Sequence, residues 1–160
     1  MEVIELEIYT FEELTERAKE KAREDYRSNL DYPWFSESID SIRAFASHFG
    51  VTLKDWSIGS GCGRDYIKTD ASNANFRGIK PSDIDREATP TGYCLDSDLW
   101  YEFYNQFKRT GDAKYAFEQA LEAAISAIQR DIDYYYSDES VDETLTINDY
   151  RFTKEGKVWN

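Results

Sequence analysis

Residues 112–136 read DAKYAFEQALEAAISAIQRDIDYYY, the strongest periodic segment in the chain. Apolar side chains recur there every three or four residues, which places them on one side of an α-helix. The members of this stripe are Phe117, Leu121, Ala124, Ile128, Ile132 and Tyr135. The segment therefore predicts a long amphipathic helix over 112–136.

The N-terminal residues predict a strand followed by a helix. Residues 1–9 alternate apolar and acidic side chains, as in a half-buried strand with Ile4, Leu6 and Ile8 on one face. Thr10 with Glu13 three residues later matches a capping box, so we expect the helix to begin at Thr10. Its apolar stripe would consist of Phe11, Leu14, Ala18, Ala22 and Tyr26.

The remaining segments alternate helical and extended patterns. Ser36 can cap a second helix that Gly50 would end, and Pro33 interrupts the chain before it. The expected strands are 51–58, 66–69 and 75–79, and a loop is expected over 80–94. Two more helices are expected over 98–109 and 138–146. A C-terminal β-hairpin is expected from 147–152 and 157–159. This order predicts one α+β domain over 1–160, with helices packed on a mostly antiparallel sheet.

The charge of the chain is unevenly distributed. The formal net charge is −13, and residues 112–149 contain ten acidic and only two basic side chains. Residues 54–86, in contrast, contain six basic and five acidic side chains. A dense acidic face repels nucleic acid and attracts basic protein surfaces, so we expect no direct nucleic-acid binding.

No segment resembles a secretion signal or a membrane span. The first residues lack the basic and apolar regions of a signal peptide, and no apolar run approaches the ~20 residues that a span needs. The two cysteines, Cys62 and Cys94, are most simply free thiols. We therefore expect a cytoplasmic protein, in a host cell, with no membrane partner.

Patterns that carry catalysis are weak. His48 is the only histidine and falls late in the second expected helix, where the helix dipole favours it. The glycine-rich residues 59–63 fit a hairpin turn better than a phosphate-binding loop. Acidic pairs at Asp83/Asp85, Asp96/Asp98 and Asp131/Asp133 lack the ligand patterns of known cation sites. We expect no catalytic residue, no metal and no cofactor.

The end of the long helix combines tyrosines with acids. Tyr134, Tyr135 and Tyr136 cannot all face one core, because successive helical residues are about 100° apart. Some of these rings are at the surface, unless the short helix over 138–146 covers them. The acids that follow have only Arg130 as a nearby base in the sequence, so they are expected to be unpaired. The candidate partner-binding residues are Asp131, Asp133, Tyr134, Tyr136, Asp138, Glu139, Asp142 and Glu143. A purely solubilising face is the alternative.

Two segments resemble a known group of proteins. Residues 9–27, YTFEELTERAKEKAREDYR, and 134–157, YYYSDESVDETLTINDYRFTKEGK, are similar to the ends of small acidic proteins encoded by phages and prophages. These are labelled antitoxins of toxin–antitoxin stability systems, and related sets include anti-CRISPR inhibitors. The resemblance implies a viral or mobile-element origin and identifies no binding residue.

These observations favour a non-enzymatic inhibitor that binds a basic, nucleic-acid-binding host defence protein, in the manner of a DNA mimic. One alternative is an antitoxin that neutralises a cognate toxin. A second is a small metal-dependent enzyme built on the 59–70 loop, with Asp65 and the nearby Asp83 and Asp85. Either a monomer or a dimer is compatible with the sequence.

Overall fold

The computed structural model describes residues 7–59, 61, 63–74 and 76–159. This part contains the helices α1 (Glu16–Arg27), α2 (Phe35–His48), α3 (Leu95–Thr110), α4 (Ala113–Tyr135) and α5 (Asp138–Ile147). Its strands are β1 (Tyr9–Thr10), β2 (Leu53–Ser57), β3 (Tyr66–Thr69) and β4 (Arg151–Phe152). The predicted α+β class is confirmed, with two small antiparallel sheets, β1–β4 and β2–β3. The helix predicted over 112–136 is α4.

Contacts within the chain divide it into two compact units. The terminal unit comprises the chain up to Tyr32 together with the chain from Ile132 onwards, and the central unit is Pro33–Asp131. The single domain over 1–160 stays a prediction. Each unit has its own buried side chains and is described separately.

The terminal unit joins the two ends of the described chain. β1 pairs antiparallel with β4, with Tyr9 opposite Phe152 and Thr10 opposite Arg151. The buried cluster beneath this pair combines the turn before α1 with α1, α5 and β4, and its members are Phe11, Leu14, Ala18, Ala22, Val141, Leu145 and Phe152. Tyr26 packs against the cluster. The predicted apolar stripe therefore faces a core.

The start of α1 differs from the prediction. The helix begins at Glu16, and Thr15 is its N-cap, with a side chain that accepts a hydrogen bond from the Ala18 amide. The Glu13 carboxylate accepts from the Thr10 amide at 2.8 Å and from the Thr10 hydroxyl at 3.0 Å. The predicted capping pair thus forms, but it closes a turn that precedes the helix.

The prediction that Ile8 lies on the buried face of the first strand is also wrong. Tyr9 of β1 packs against the core, whereas Ile8, the residue before β1, is 48% exposed. Ile4 and Leu6 lie outside the described residues.

The C-terminal hairpin is shorter than predicted. α5 extends to Ile147, so a strand cannot begin there, and β4 has two residues. Phe152 forms one bridge with Val158, and the Thr153 amide donates to the Lys157 carbonyl at 2.8 Å. In the turn between them, Gly156 has a φ of +83°, and a Cβ built on it would lie 2.0 Å from the Ala18 carbonyl oxygen.

The central unit packs aromatic side chains between α2, α3 and α4. The Phe45 ring stacks on Phe117 with centroids 5.4 Å apart and contacts Phe103 edge-on at 5.9 Å. Rings of this size bury large apolar areas. The predicted stop of α2 near Gly50 is confirmed, since Gly50 has a φ of +67°.

Two further expectations for the central unit have opposite outcomes. β2 and β3 form the predicted antiparallel pair, with Trp56 opposite Ile67. The strand predicted over 75–79 is wrong, because residues 76–79 form a turn with a φ of +82° at Gly78. Phe76 is held there by the Phe117 ring at 5.4 Å. Asn75 lies outside the described residues.

In the part of the chain that the structure covers, no helix is long and apolar enough to cross a bilayer.

Gly156→Ala should lower the free energy of unfolding by about 2–5 kcal/mol. A left-handed backbone accounts for about 1–2 kcal/mol and overpacking against Ala18 for about 1–3 kcal/mol. Urea unfolding followed by circular dichroism measures the loss. Gly78→Ala is the matched control, since its φ is +82° and its Cβ would meet no atom within 4 Å. Equal losses in both variants would show that the contact with Ala18 is unimportant.

Candidate functional site

Two arginines of α1 bind two of the candidate aspartates on α5. Arg23 donates from Nε and Nη2 to the two carboxylate oxygens of Asp142, both at 2.6 Å. Arg27 pairs with Asp138. The two arginines are four residues apart and so are the two aspartates, so each pair meets across neighbouring helix faces. We call these four residues the arginine–aspartate ladder.

The expectation that the candidate acids are unpaired is wrong for Asp138 and Asp142. The bases come from α1, and Arg23 is 119 residues away from Asp142 in the chain. Asp138 and Asp142 are therefore occupied within the protein. They hold α5 against α1 and are not available as unpaired charges.

The electrostatics of the ladder favour its ionised form. The hydrogen bond from Arg27 lowers the pKa of the Asp138 carboxyl below its ordinary value of 3.8. The hydrogen bond with Asp142 raises the pKa of the Arg23 guanidinium further above its ordinary value. The Arg23 side chain is only 12% exposed and lies over the Phe11 ring, 5.6 Å from its centroid. Partial burial and bidentate geometry make this pair stronger than an ordinary surface ion pair.

The three tyrosines are in different environments. The Tyr136 hydroxyl donates to the Leu30 carbonyl at 2.7 Å, and Arg27 Nε donates to the Tyr136 carbonyl at 2.8 Å. Tyr135 contacts the Tyr32 ring edge-on at 5.7 Å. Tyr134 is 53% exposed. Tyr136 is therefore hydrogen-bonded inside the terminal unit, whereas the Tyr134 side chain is accessible.

Three of the remaining candidate acids are exposed carboxylates. Asp133, Glu139 and Glu143 are exposed, and among the described residues no side chain forms an ion pair or hydrogen bond with them. Glu139 and Glu143 are four residues apart and therefore neighbours on one side of α5. We call Asp133, Tyr134, Glu139 and Glu143 the outer acidic set. Asp131 is also exposed and belongs to the central unit.

The acids considered for an enzyme site have structural partners instead. The Asp65 carboxylate accepts from the Gly59 amide at 3.0 Å and from Gln129 Nε2 at 2.7 Å, which closes the base of the glycine-rich loop. Asp83 accepts from the Lys80 amide at 3.0 Å, and Asp85 accepts from the Glu87 amide at 2.9 Å. Within the described ranges, no group of three or more potential metal ligands occurs. Ser60 and Cys62 are outside those ranges.

The other residues singled out from the sequence are dispersed. His48 ends α2, and its ring contacts Trp100 edge-on at 4.8 Å. Cys94 is a free, exposed thiol. Asp96 lies in the first turn of α3 and is fully buried. An open cleft of about 670 Å³ in the central unit is lined by side chains of both charges, including Arg86, Arg130, Asp98 and Glu102.

Sequence reasoning missed the role of Arg23 and Arg27. A signal was present, because both arginines and both aspartates occur at the four-residue spacing of one helix face. That spacing alone does not identify which two helices are neighbours, and the same spacing occurs elsewhere in the chain.

We found no match to this chain among protein-family models, curated proteins or solved structures. The resemblance of residues 9–27 and 134–157 to phage-encoded proteins therefore stays a prediction.

Arg27→Gln should raise the titration midpoint of Asp138 towards 3.8, because it removes the main cause of the lowered pKa. A lowered pKa in the folded state stabilises the fold above the ordinary pKa, and this contribution is lost as the pH falls through the folded value. Carboxyl chemical shifts measured by NMR between pH 2 and 6 follow the titration.

Arg17→Gln is the matched control for this titration, because Arg17 is an exposed arginine of the same helix without a partner in the described part of the chain. It should leave the Asp138 midpoint nearly unchanged. Equal shifts in both variants would show that Arg27 has no specific effect.

Proposed function

We propose that this protein is a non-enzymatic inhibitor from a phage or mobile element, and that it binds a basic, nucleic-acid-binding host defence protein. The outer acidic set would form the contact. One observation carries the proposal: arginines of α1 neutralise Asp138 and Asp142 on α5, but Glu139 and Glu143 on α5 have no partner among the described residues.

Unpaired carboxylates lower the stability of a helix but can attract a basic partner. Like charges at four-residue spacing on a helix are mildly destabilising, by roughly 0.2–0.5 kcal/mol per pair. The same charges attract a basic partner over several ångströms and raise its association rate. A binding role would give these carboxylates a use that offsets their cost.

The spacing of these charges suits a surface that normally binds nucleic acid. Residues four apart in an α-helix are separated by about 6 Å along its axis. Duplex DNA presents one charge per about 3.4 Å of axis on each strand, so every second phosphate is about 7 Å away along the axis, close to this spacing. A cationic groove that binds phosphates could therefore accept Glu139 and Glu143.

Tyr134 supplies the apolar part of the contact. Tyrosine is enriched among the side chains that dominate protein interfaces, because its ring buries a large area and its hydroxyl can still form a hydrogen bond. Tyr134 is adjacent in sequence to the exposed Asp133. The proposal therefore uses Tyr134 as the anchor and leaves Tyr136 to the interior.

Asp138 and Asp142 act indirectly in this proposal. Because they bind Arg27 and Arg23, they set the position of α5 in the terminal unit and hence the direction in which Glu139 and Glu143 point. Their substitution would affect partner binding through a displaced helix.

Reversing the charge of Asp133, Glu139 and Glu143 to lysine should weaken partner binding about tenfold or more at low salt, within the range of electrostatic steering. The partner would be captured from host lysate on the tagged protein, purified, and titrated against wild type and variant at two salt concentrations. Duplex DNA should compete with the wild-type protein for the purified partner.

The matched comparison for charge reversal is a helical pair elsewhere. Glu118 and Glu122 on α4 are exposed, four residues apart and unpaired in the described part of the chain. Glu118→Lys/Glu122→Lys should retain wild-type binding, whereas Glu139→Lys/Glu143→Lys should not. Unchanged binding in the α5 variants, with the fold intact by circular dichroism, would contradict the proposal.

A further inference from the structure

A buried carboxylate in the central unit uses only one of its two oxygens. Asp96 is 0% exposed. Its Oδ2 accepts hydrogen bonds from the Thr91 amide at 2.8 Å, the Thr91 hydroxyl at 2.9 Å and the Gly92 amide at 3.0 Å. Oδ1 is equally buried and has no hydrogen-bond partner among the described residues. A carboxylate oxygen without a donor is unusual in a protein interior.

A buried donor without an acceptor occurs one helical turn further along. Trp100 is 3% exposed, and its indole Nε1 has no partner in the described part of the chain. The Trp100 ring contacts Phe45 at 5.1 Å and His48 at 4.8 Å, both edge-on. An indole N–H buried among aromatic rings loses its hydrogen bond to water on folding unless an acceptor replaces it.

The two unsatisfied atoms belong to side chains on the same face of one helix. Asp96 and Trp100 are four residues apart on α3, and side chains at this spacing lie above one another on one helix face. The longer side chain leans towards the N-terminus of its helix, which brings Trp100 towards Asp96. They do not hydrogen-bond each other directly.

We propose that α3 holds one internal water molecule between Trp100 Nε1 and Asp96 Oδ1. The ligand must accept a hydrogen bond from the indole and donate one to the carboxylate. A metal cation cannot accept a hydrogen bond, and an anion would be repelled by Asp96. Water satisfies both requirements and commonly occupies such positions between buried polar groups.

The water would extend an existing polar network across the interface of α2 and α3. The Ser41 hydroxyl lies 2.9 Å from the Thr91 hydroxyl, and Thr91 in turn donates to Asp96. The water adds Trp100 to this chain of hydrogen bonds, so that the turn at Thr91–Gly92, α2 and α3 share one network. A fully satisfied network of this kind favours a single arrangement of the helices it joins.

A high-resolution crystal structure of the full chain tests the proposal directly. The expected result is an ordered water within about 2.7–3.2 Å of both Nε1 and Oδ1. A direct bond between the indole and any protein acceptor, or the absence of an ordered water at this position, would overturn it.

NMR of the ¹⁵N-labelled protein provides an independent readout. Trp100→Phe assigns the indole signal of Trp100 among those of the four tryptophans. We expect magnetisation transfer from a long-lived water to this indole proton, together with slower exchange than at Trp34 and Trp159, which are 47% and 48% exposed. Exchange as fast as at those two residues would contradict a buried water.

Trp100→Phe also tests whether the indole holds the water, because phenylalanine keeps an aromatic ring and removes the donor. The occupancy of the water should fall in this variant, and Trp34→Phe should leave it unchanged. Full occupancy in Trp100→Phe would show that Nε1 is not a partner and would overturn the proposal.

Discussion

The orientation of the last helix in the terminal unit depends on the pairing of two guanidinium groups of its first helix with two carboxylates of the last. Arg23 and Arg27 on α1 bind Asp142 and Asp138 on α5, next to the apolar contact of Ala18 and Ala22 with Val141 and Leu145. Apolar burial supplies most of the stabilisation in such a contact. The bidentate pairing adds direction, because a planar guanidinium fits a carboxylate in few orientations. Together these contacts determine where α5 lies and which of its residues face outward.

The same pairing divides the acids into two classes. Asp138 and Asp142 are paired with arginines, whereas their sequence neighbours Glu139 and Glu143 have no partner in the part of the chain that the structure describes. Only some of the many acidic side chains of the sequence are therefore available to bind a partner. The case for a binding surface depends on this smaller group and on the exposed Tyr134, and only weakly on the net charge of −13.

Several elements could be predicted because their causes are local. α4 was predicted over 112–136 and spans Ala113–Tyr135, since its apolar residues repeat with the helical period. The pairing of β2 with β3 also follows from neighbouring strand patterns. The prediction is wrong where one local sequence pattern is compatible with two different structures. Thr10 and Glu13 formed their hydrogen bonds in a turn, and Phe76 was taken into the aromatic core from a segment that resembled a strand.

The sequence by itself determined the helices of this protein, its acidic character and the position of the acids along the chain, because periodicity and charge are properties of neighbouring residues. The tertiary structure decided which acids are neutralised, which tyrosine is exposed and that Asp96 is buried. Those outcomes depend on contacts such as Arg23–Asp142, which spans 119 residues. The four-residue spacing of the arginines and of the aspartates is visible in the sequence, but which charges and rings meet is decided only when the helices pack.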